Sequence, residues 1–142
     1  MRPVNRSERL RNLGLVPTIQ RVSILEYLES TDSHPTADQV YNEVSHRFPS
    51  ISRATVYNTL EALTKAGAIL KLSVDRSAAR YDADTGPHAH FHCRRCGRVL
   101  DIPVDEENWL EDRLTDHRVE SVRTYAFGVC RDCLSRKEES DA

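Results

Sequence analysis

The stretch Ile51-Ser52-Arg53-Ala54-Thr55-Val56-Tyr57-Asn58-Thr59-Leu60 determines the fold of the N-terminal half. Ser52 is a favoured helix N-cap residue, and Gly67 belongs to the residue type favoured just after a helix C-terminus. Between them, apolar residues recur at the spacing of one helix face: Val56, Leu60 and Leu63. The sequence therefore predicts a helix between Ser52 and Gly67, with one buried face and one polar face.

Further elements are predicted on both sides of this helix. Upstream we expect three helices: one over residues 6–13, one opened by Pro17-Thr18 with apolar Val22, Leu25 and Leu28, and one capped by Thr36 with apolar Val40, Tyr41, Val44 and Phe48. Downstream, residues 69–74 and the stretch Arg80-Tyr81-Asp82 predict a two-stranded hairpin. Short helices followed by a β-hairpin form the element order of a winged helix-turn-helix domain.

The polar face of the helix after Ser52 is a candidate DNA-contacting surface. A recognition helix contacts base edges with its N-terminal half, and arginine is the usual partner of guanine. The predicted DNA contacts are Arg53, Thr55, Tyr57 and Asn58, with Ser52 and Thr59 also facing outward and Arg2, Arg6, Arg9 and Arg11 as phosphate contacts. Tyr57 suits a phosphate or a thymine methyl group. A solvated helix face is the alternative, but the position of the helix before a hairpin favours DNA.

All four cysteines fall into two pairs of the pattern Cys-x-x-Cys: Cys93, Cys96, Cys130 and Cys133. Two ligands three positions apart can occupy one turn, and two such turns supply the four thiolates of a tetrahedral zinc site. A redox-active pair and four buried thiols are the alternatives. Because no cysteine is left over, the pattern favours one structural Zn²⁺ held by all four.

Length and composition exclude several classes of protein. The chain has 142 residues, of which 39% are hydrophobic and 30% are charged, a composition typical of globular proteins. This length suits one domain or two small ones and is too short for a large enzyme fold. No apolar run reaches the roughly 18 residues of a membrane helix, and no signal-peptide stretch is present, so we expect a cytoplasmic protein without a membrane partner. Residues 1–80 have 11 basic and 8 acidic side chains (net +3), and residues 81–142 have 9 and 14 (net −5). This asymmetry favours nucleic-acid binding by the first half.

The predicted domain type changes near residue 82. The stretch Asp84-Thr85-Gly86-Pro87 predicts a linker. Beyond it we expect short strands at residues 91–92 and 98–102, a helix over 104–115 and a strand over 119–127. The expected fold class is α+β: a winged-helix domain over residues 1–82, a hinge at 83–87, a small α/β domain with the zinc site over 88–135, and a disordered polar tail over 136–142.

Three of the six histidines lie in His88-Ala89-His90-Phe91-His92. Alternation along a strand places all three on one face, so at least two can bind one ion. Asp82 precedes them, Asp101 follows the first cysteine pair, and His34 lies at a break between helices. Imidazole and carboxylate ligands suit Fe²⁺, Mn²⁺, Ni²⁺ or Zn²⁺. A surface histidine cluster without a specific metal is the alternative.

With these elements in order, the chain resembles the ferric uptake regulator (Fur) family of bacterial metal-dependent repressors over residues 7–135. The resemblance rests on His34-Pro35-Thr36-Ala37, Ser52-Arg53-Ala54-Thr55-Val56-Tyr57, Arg80-Tyr81-Asp82, residues 88–97 and Gly128-Val129-Cys130-Arg131-Asp132-Cys133. It implies an N-terminal winged helix, a C-terminal dimerisation domain with structural Cys₄ zinc, and a homodimer on a palindromic double-stranded DNA operator. It also implies a regulatory metal at the hinge, whose occupancy sets the angle between the DNA-binding domains.

The resemblance also indicates which chemical signal the repressor senses. In the peroxide-sensing (PerR-like) branch the regulatory ligands are three His and two Asp, which correspond here to His34, Asp82, His88, His90 and Asp101. Iron-sensing members usually have Glu at the two Asp positions. They often carry a further metal site, whose positions here are unable to bind metal: Pro87, Ala89, Asn108 and Val122. Zinc-sensing members place an extra cysteine in the regulatory site, and this chain has no fifth cysteine.

The resemblance therefore implies a repressor that senses peroxide by metal-catalysed oxidation of a histidine ligand at a regulatory Fe²⁺ or Mn²⁺ site. An iron- or manganese-responsive repressor without peroxide chemistry is the alternative. His92 departs from the commonest family pattern, which leaves open which two of the clustered histidines bind metal.

Two other classes of function stay open at this point. The C-terminal half alone could be a zinc-ribbon protein-binding module, which would show no salt-dependent binding to duplex DNA. An enzyme is disfavoured, because no additional acid–base pair accompanies the His and Asp ligands and five protein ligands leave little open space on the metal.

Overall fold

The computed structural model describes residues 5–73, 78–86, 88–104, 113–120 and 122–140, which divide into the units Met1–Thr85 and Gly86–Ala142. The division falls inside the segment 83–87 that the sequence predicts as a hinge. Within the described residues, no helix combines the length and the apolar character that a bilayer crossing requires. Each unit has its own cluster of buried side chains.

The first unit contains the four predicted helices: α1 (Arg6–Asn12), α2 (Ile19–Ser30), α3 (Ala37–Arg47) and α4 (Arg53–Lys65). Side-chain caps explain where they begin. Ser52 Oγ accepts the Thr55 backbone N–H at 3.0 Å. Thr36 and Gln39 form a capping box, in which the Gln39 side chain accepts the Thr36 N–H at 2.9 Å. These polar contacts satisfy N–H groups that the first helical turn leaves without partners, so the local sequence sets the helix starts.

A hairpin completes the first unit. Gly67 follows α4 with a φ of +80°, the left-handed conformation that ends many helices. Strands β1 (Leu70–Leu72) and β2 (Arg80–Asp82) then pair antiparallel, with Lys71 opposite Tyr81. The core is formed mainly by buried aliphatic residues of the helices: Leu10, Ile24, Leu25, Leu28, Val40, Val44, Val56, Leu60 and Leu63. The predicted winged helix-turn-helix order is confirmed.

The described residues of the second unit form a three-stranded sheet followed by a helix: β3 (His88–Cys93), β4 (Val99–Pro103), β5 (Tyr125–Gly128) and α5 (Arg131–Ser140). β3 is central, with β4 antiparallel on one side and β5 parallel on the other. His90 therefore lies opposite Asp101 on β4 and opposite Tyr125 on β5. The same strand carries the histidine cluster and ends at the first cysteine, and the α+β class is as predicted.

Three details of this unit differ from the sequence-based expectations. The strand expected over 119–127 begins only at Tyr125, where it comes into register with β3 opposite His90. The tail expected to be disordered from residue 136 instead continues α5 to Ser140, because Arg, Lys and Glu are good helix formers. Most of the helix expected over 104–115 lies outside the described residues.

Candidate metal centres and DNA-contacting surface

The four cysteine thiols converge within the second unit. The Sγ atoms of Cys93 and Cys133, and those of Cys96 and Cys130, are each 3.8 Å apart, and all four lie within 4.8 Å of one another. Four sulfurs at 2.3 Å from a tetrahedral zinc are about 3.8 Å apart, whereas a disulfide needs about 2.0 Å. The geometry therefore fits the predicted Cys₄ zinc site and no disulfide.

Two turns position these thiols. Cys93 ends β3, and the backbone N–H of Gly97, whose φ is +77°, donates to the Cys93 carbonyl at 2.9 Å to close the turn before β4. Cys130 lies just before α5 and Cys133 lies in its first turn. Phe91 and Val129 pack against the cluster that the three buried cysteines form. Both cysteine pairs are thus held by the ends of regular elements.

Hydrogen bonds and burial separate the pKa values of two of the thiols. The backbone N–H groups of Cys96 and Cys130 donate to Cys93 Sγ, at 3.5 and 3.3 Å, and lower the pKa of Cys93 to about 5. Burial raises the pKa of Cys133 to about 12. The hydrogen bonds thus favour the thiolate form of Cys93, which is the form that binds zinc, whereas burial opposes loss of the Cys133 proton.

His34 and Asp82 meet in the first unit, where both side chains are buried. His34 Nε2 lies 3.4 Å from Asp82 Oδ2, while Asp82 Oδ1 accepts the backbone N–H of Asp84 at 2.9 Å. His34 has a φ of +52°, a left-handed conformation that costs a non-glycine residue about 1–3 kcal/mol. Arg80 Nη1 donates to the His34 carbonyl oxygen at 3.1 Å, which ties this loop to the strand that ends at Asp82.

His88, His90 and Asp101 meet on the sheet of the second unit. The two imidazoles project from the same face of β3, with ring centroids 4.3 Å apart. Asp101 Oδ1 lies 3.3 Å from the Nε2 atom of each histidine. His88 Nδ1 is 2.8 Å from the carbonyl oxygen of Gly86. That contact requires the ring proton on Nδ1, so the Nε2 lone pair is left for a metal ion.

Both groups have the donor atoms of a metal site. Imidazole Nε2 and carboxylate oxygen face each other at 3.3–3.4 Å. Two ligands that each lie about 2.0–2.2 Å from one ion are roughly 3.0–3.4 Å apart. Nitrogen and oxygen donors in this mixture suit Fe²⁺ and Mn²⁺. The first unit therefore offers two of the predicted regulatory ligands, and the second offers three.

His92 is the histidine of the cluster that does not join Asp101. Its ring packs edge-on against Phe127, with centroids 6.3 Å apart. Its Nε2 atom is buried and has no hydrogen-bond partner in the part of the chain that the structure describes. Strand alternation alone could not separate it from His88 and His90, because the Phe127 ring comes from the parallel neighbour β5.

The four predicted DNA contacts are exposed together at the start of α4: Arg53, Thr55, Tyr57 and Asn58. Arg53 Nη1 and the Tyr57 hydroxyl both donate to Asp38 Oδ1, at 2.7 and 2.8 Å. The hydrogen bond to Asp38 raises the pKa of Tyr57, so its hydroxyl keeps its proton at neutral pH. The prediction that Thr59 faces outward is wrong: it is 7% exposed, because its position on the helix turns it toward the core with Val56 and Leu63.

Two arginines of α1 that the sequence predicts as phosphate contacts are engaged within the protein. Arg6 Nε donates to Glu29 at 2.7 Å. Arg9 donates to Glu29 at 3.4 Å and to the Ala68 carbonyl oxygen at 2.9 Å. These two side chains therefore hold α1 against α2 and the segment after α4. Arg11 is exposed, and Arg2 lies outside the described residues.

Comparison with known proteins decides the family. The sequence model of the Ferric uptake regulator family matches residues 12–125. This chain belongs to that family. The peroxide-responsive repressor PerR of Staphylococcus epidermidis, a curated relative, is 39% identical over 135 residues, which cover 93% of this chain and 88% of the relative.

Two solved structures place the ferric uptake regulator fold over most of the chain. The Campylobacter jejuni peroxide stress regulator has a TM-score of 0.70 and 28% identity, with coverage of 80% of this chain and 88% of that one. The ferric uptake regulator of Pseudomonas aeruginosa with manganese has a TM-score of 0.70 and 26% identity, with coverage of 91% and 99%. Ferric uptake regulator family members are DNA-binding transcriptional regulators, so the enzyme and zinc-ribbon alternatives are set aside.

Three groups that position the candidate ligands and DNA contacts of this Fur-family chain were not assigned roles from the sequence. They are the Arg80 guanidinium, the Gly86 carbonyl and the Asp38 carboxylate. The sequence offers a signal for Arg80, since this residue belongs to the Arg80-Tyr81-Asp82 motif. The sequence offers no such signal for Gly86 or Asp38, because their hydrogen-bond partners are recognised only in the folded chain.

Proposed function

We propose that this protein is a metal-dependent transcriptional repressor that binds a palindromic operator as a homodimer and leaves it when peroxide oxidises a histidine ligand. The observation that carries the proposal is the donor set: imidazoles grouped with aspartate carboxylates, apart from the cysteine thiols. Relatives named as a peroxide-responsive repressor and a peroxide stress regulator support it. We assign the regulatory ligands as His34, Asp82, His88, His90 and Asp101.

The proposed regulatory site draws its ligands from both units. His34 and Asp82 belong to the first unit, and the other three ligands belong to the second. Neither set alone fills the coordination positions of Fe²⁺ or Mn²⁺, so we infer that one ion is bound by both. Such an ion favours the arrangement of the units in which all five ligands reach it. The difference in metal affinity between arrangements is the free energy available to couple metal binding to DNA binding.

The proposed peroxide sensing requires imidazoles next to a redox-active metal ion, and the proposed ligand set contains three of them. A bound Fe²⁺ would start the reduction of peroxide by transferring one electron, and the imidazole would supply the two electrons of the net reaction, so that the iron ends as Fe²⁺. We assign the oxidised residue as His34 or His88, as the resemblance to the peroxide-sensing branch implies. One peroxide oxygen is added to the imidazole ring, which becomes 2-oxo-histidine, and the other oxygen leaves as water. An oxidised imidazole is a poorer ligand, so the metal is lost and the dimer dissociates from the operator.

The proposed operator contacts are Arg53, Thr55, Tyr57 and Asn58. They lie in the first two turns of α4, where a recognition helix meets base edges in the major groove. A dimer presents two such helices, so its two-fold symmetry predicts a palindromic operator. The exposed Arg11 is available for a phosphate contact, which positions the protein without specifying sequence.

The test compares protein loaded with Fe²⁺ and with Mn²⁺, before and after hydrogen peroxide. Binding is measured by fluorescence anisotropy on a duplex selected by the Mn²⁺-loaded protein from a random-sequence library. We expect peroxide to release only the Fe²⁺ form, since Mn²⁺ does not readily pass an electron to peroxide. Mass spectrometry should then find one added oxygen on the peptide that contains His34 or the peptide that contains His88, again in the Fe²⁺ form alone.

A matched control uses the third histidine of the same strand. His92→Gln removes an imidazole that lies outside both ligand groups, so this variant should respond to peroxide as the parent does. Cysteine oxidation before any histidine oxidation, or equal responses of the Fe²⁺ and Mn²⁺ forms, would contradict peroxide sensing. The protein would then be an iron- or manganese-responsive repressor.

A further inference from the structure

We propose that Asp38 is a specificity-determining residue, whose carboxylate turns Arg53 and Tyr57 away from phosphate and toward base edges. The inference rests on the proposed function, because it takes Arg53 and Tyr57 as DNA contacts. Asp38 itself carries no DNA contact in this scheme. It acts through the two side chains that it holds.

The contacts around Asp38 join α3 to the exposed face of α4. Asp38 lies in the first turn of α3, and its Oδ1 atom accepts from Arg53 Nη1 at 2.7 Å and from the Tyr57 hydroxyl at 2.8 Å. The Arg53 guanidinium also lies over the Tyr41 ring, 4.4 Å from its centroid. Arg53 is therefore held in one orientation although its side chain is 58% exposed.

The charge of Asp38 is the first reason for discrimination. Asp38 lies in the first turn of α3, where the helix N-terminus interacts favourably with a negative charge. A carboxylate 2.7 Å from the guanidinium offsets the positive charge on which nonspecific binding to phosphate depends. The contact uses one of the five N–H groups of arginine, and the remaining N–H groups can still form a bidentate contact with guanine.

The second reason for discrimination is that the Tyr57 hydroxyl proton points toward Asp38. While the hydroxyl donates to Asp38, its oxygen can only accept a hydrogen bond from DNA. A phosphate has no proton to donate at neutral pH, whereas the amino groups of adenine and cytosine do. The phosphate contact that the sequence suggests for Tyr57 is therefore disfavoured, and a base contact is favoured.

The experiment measures the ratio of two affinities. The probes are the duplex that wild-type protein with Mn²⁺ selects from a random-sequence library and a scrambled duplex of the same composition. Asp38→Asn keeps a similar shape and removes the charge. We expect its affinity for the scrambled duplex to rise about fivefold, the upper range for an exposed ion pair. The log–log salt slope should steepen by roughly 1 per subunit, and the affinity for the selected duplex should not rise.

Two matched variants separate this effect from net charge. Glu43→Gln removes the same charge from the same helix at an exposed position, so it should change both affinities by the same factor. In the Arg53→Ala background, Asp38→Asn should lose its effect on the salt slope of the scrambled duplex. The proposal is overturned if Asp38→Asn gives the same affinity ratio as Glu43→Gln, or if that effect on the slope persists without Arg53.

The same series distinguishes failure of the inference from failure of the proposed function. Loss of a bidentate guanine contact in Arg53→Ala should weaken binding to the selected duplex by about 5- to 150-fold. If Arg53→Ala leaves that affinity unchanged, the DNA-contacting surface is wrongly assigned and the role of Asp38 is refuted with it. If Arg53→Ala weakens binding but Asp38→Asn leaves the affinity ratio unchanged, the surface stands and only the role of Asp38 is refuted.

Discussion

The two sets of candidate metal ligands differ in where the chain places them. The four thiols all belong to the second unit, and their Sγ atoms lie within 4.8 Å of one another. The proposed regulatory ligands are divided, with two in the first unit and three in the second. A ligand set that one unit completes alone stabilises that unit. A divided set makes metal binding sensitive to how the two units are arranged, which is the property that a switch requires.

The chemistry of the ligands follows the same division. Four thiolates suit Zn²⁺, which has no redox chemistry of its own and is bound for structure. Imidazole and carboxylate ligands suit Fe²⁺, which can react with peroxide. Stability and sensing are therefore assigned to different metals, and the proposed sensing ligands of the first unit can be changed without removing a zinc ligand.

The largest effect is expected from Cys96→Ser. Loss of one thiolate should release the zinc and unfold the second unit, because structural zinc contributes on the order of 10–16 kcal/mol to small domains. Elemental analysis gives the zinc content, and circular dichroism with size-exclusion chromatography gives folding and dimerisation. Asp132→Asn is the control, since it changes an exposed residue between Cys130 and Cys133 that forms an ion pair with Arg98, 3.2 Å away, without removing a thiol. A folded, zinc-free dimer would contradict the structural assignment.

A smaller and more selective effect is expected from His34→Ala. Zinc should remain bound, while Mn²⁺ binding weakens by more than the roughly 10–100-fold that follows loss of an outer-shell partner. Metal-activated DNA binding should be lost, because the first unit then keeps only Asp82. Mn²⁺ titrations with calorimetry and anisotropy measure both quantities. His46→Ala removes an exposed histidine of the same unit and should behave as the parent. The divided site is refuted if His34→Ala still responds to Mn²⁺ or Fe²⁺ as the parent does.

The smallest effect is expected from Arg80→Gln. This change removes the guanidinium that donates to the carbonyl oxygen of His34, so the left-handed loop loses a stabilising contact. Mn²⁺ binding should weaken by about 10-fold, the lower range for an outer-shell residue, with zinc content unchanged. Arg21→Gln is the matched control, because Arg21 Nη1 also donates to a backbone carbonyl, that of Val16, at 3.0 Å. Equal Mn²⁺ affinities of the two variants would show that Arg80 does not position His34.

Much of the first unit could be predicted because its signals are local. The caps at Thr36 and Ser52 and the left-handed Gly67 act within a few positions of themselves, so helix boundaries follow from short stretches of sequence. The thiol set was accessible for the same reason. Each cysteine pair spans one turn, and the absence of a spare cysteine leaves a single way to assemble four ligands.

Except for the Gly86 carbonyl, which lies two positions before His88, the groups that sequence patterns missed depend on partners far along the chain. Asp38 and Arg53 are 15 positions apart, and Arg9 and Glu29 are 20 positions apart, so neither pair produces a periodic pattern in the sequence. His92 has the same alternation as His88, and only the parallel register with β5 places its ring against Phe127. A charged, polar composition is common to exposed helices and to disordered tails, which is why a disordered tail was predicted from residue 136 where α5 continues to Ser140.

The separation of the two cysteine pairs has a consequence for how the protein is made. Cys96 and Cys130 are 34 positions apart, so at about 5–20 residues per second roughly 2–7 s of synthesis separate the two halves of the zinc site. In that interval the first pair lacks two of its ligand partners, although the preceding winged helix can already fold from contacts of its own. Zinc binding then closes a long loop and offsets its entropic cost. All four thiolates are therefore available to one zinc ion only after Cys133 has been synthesised.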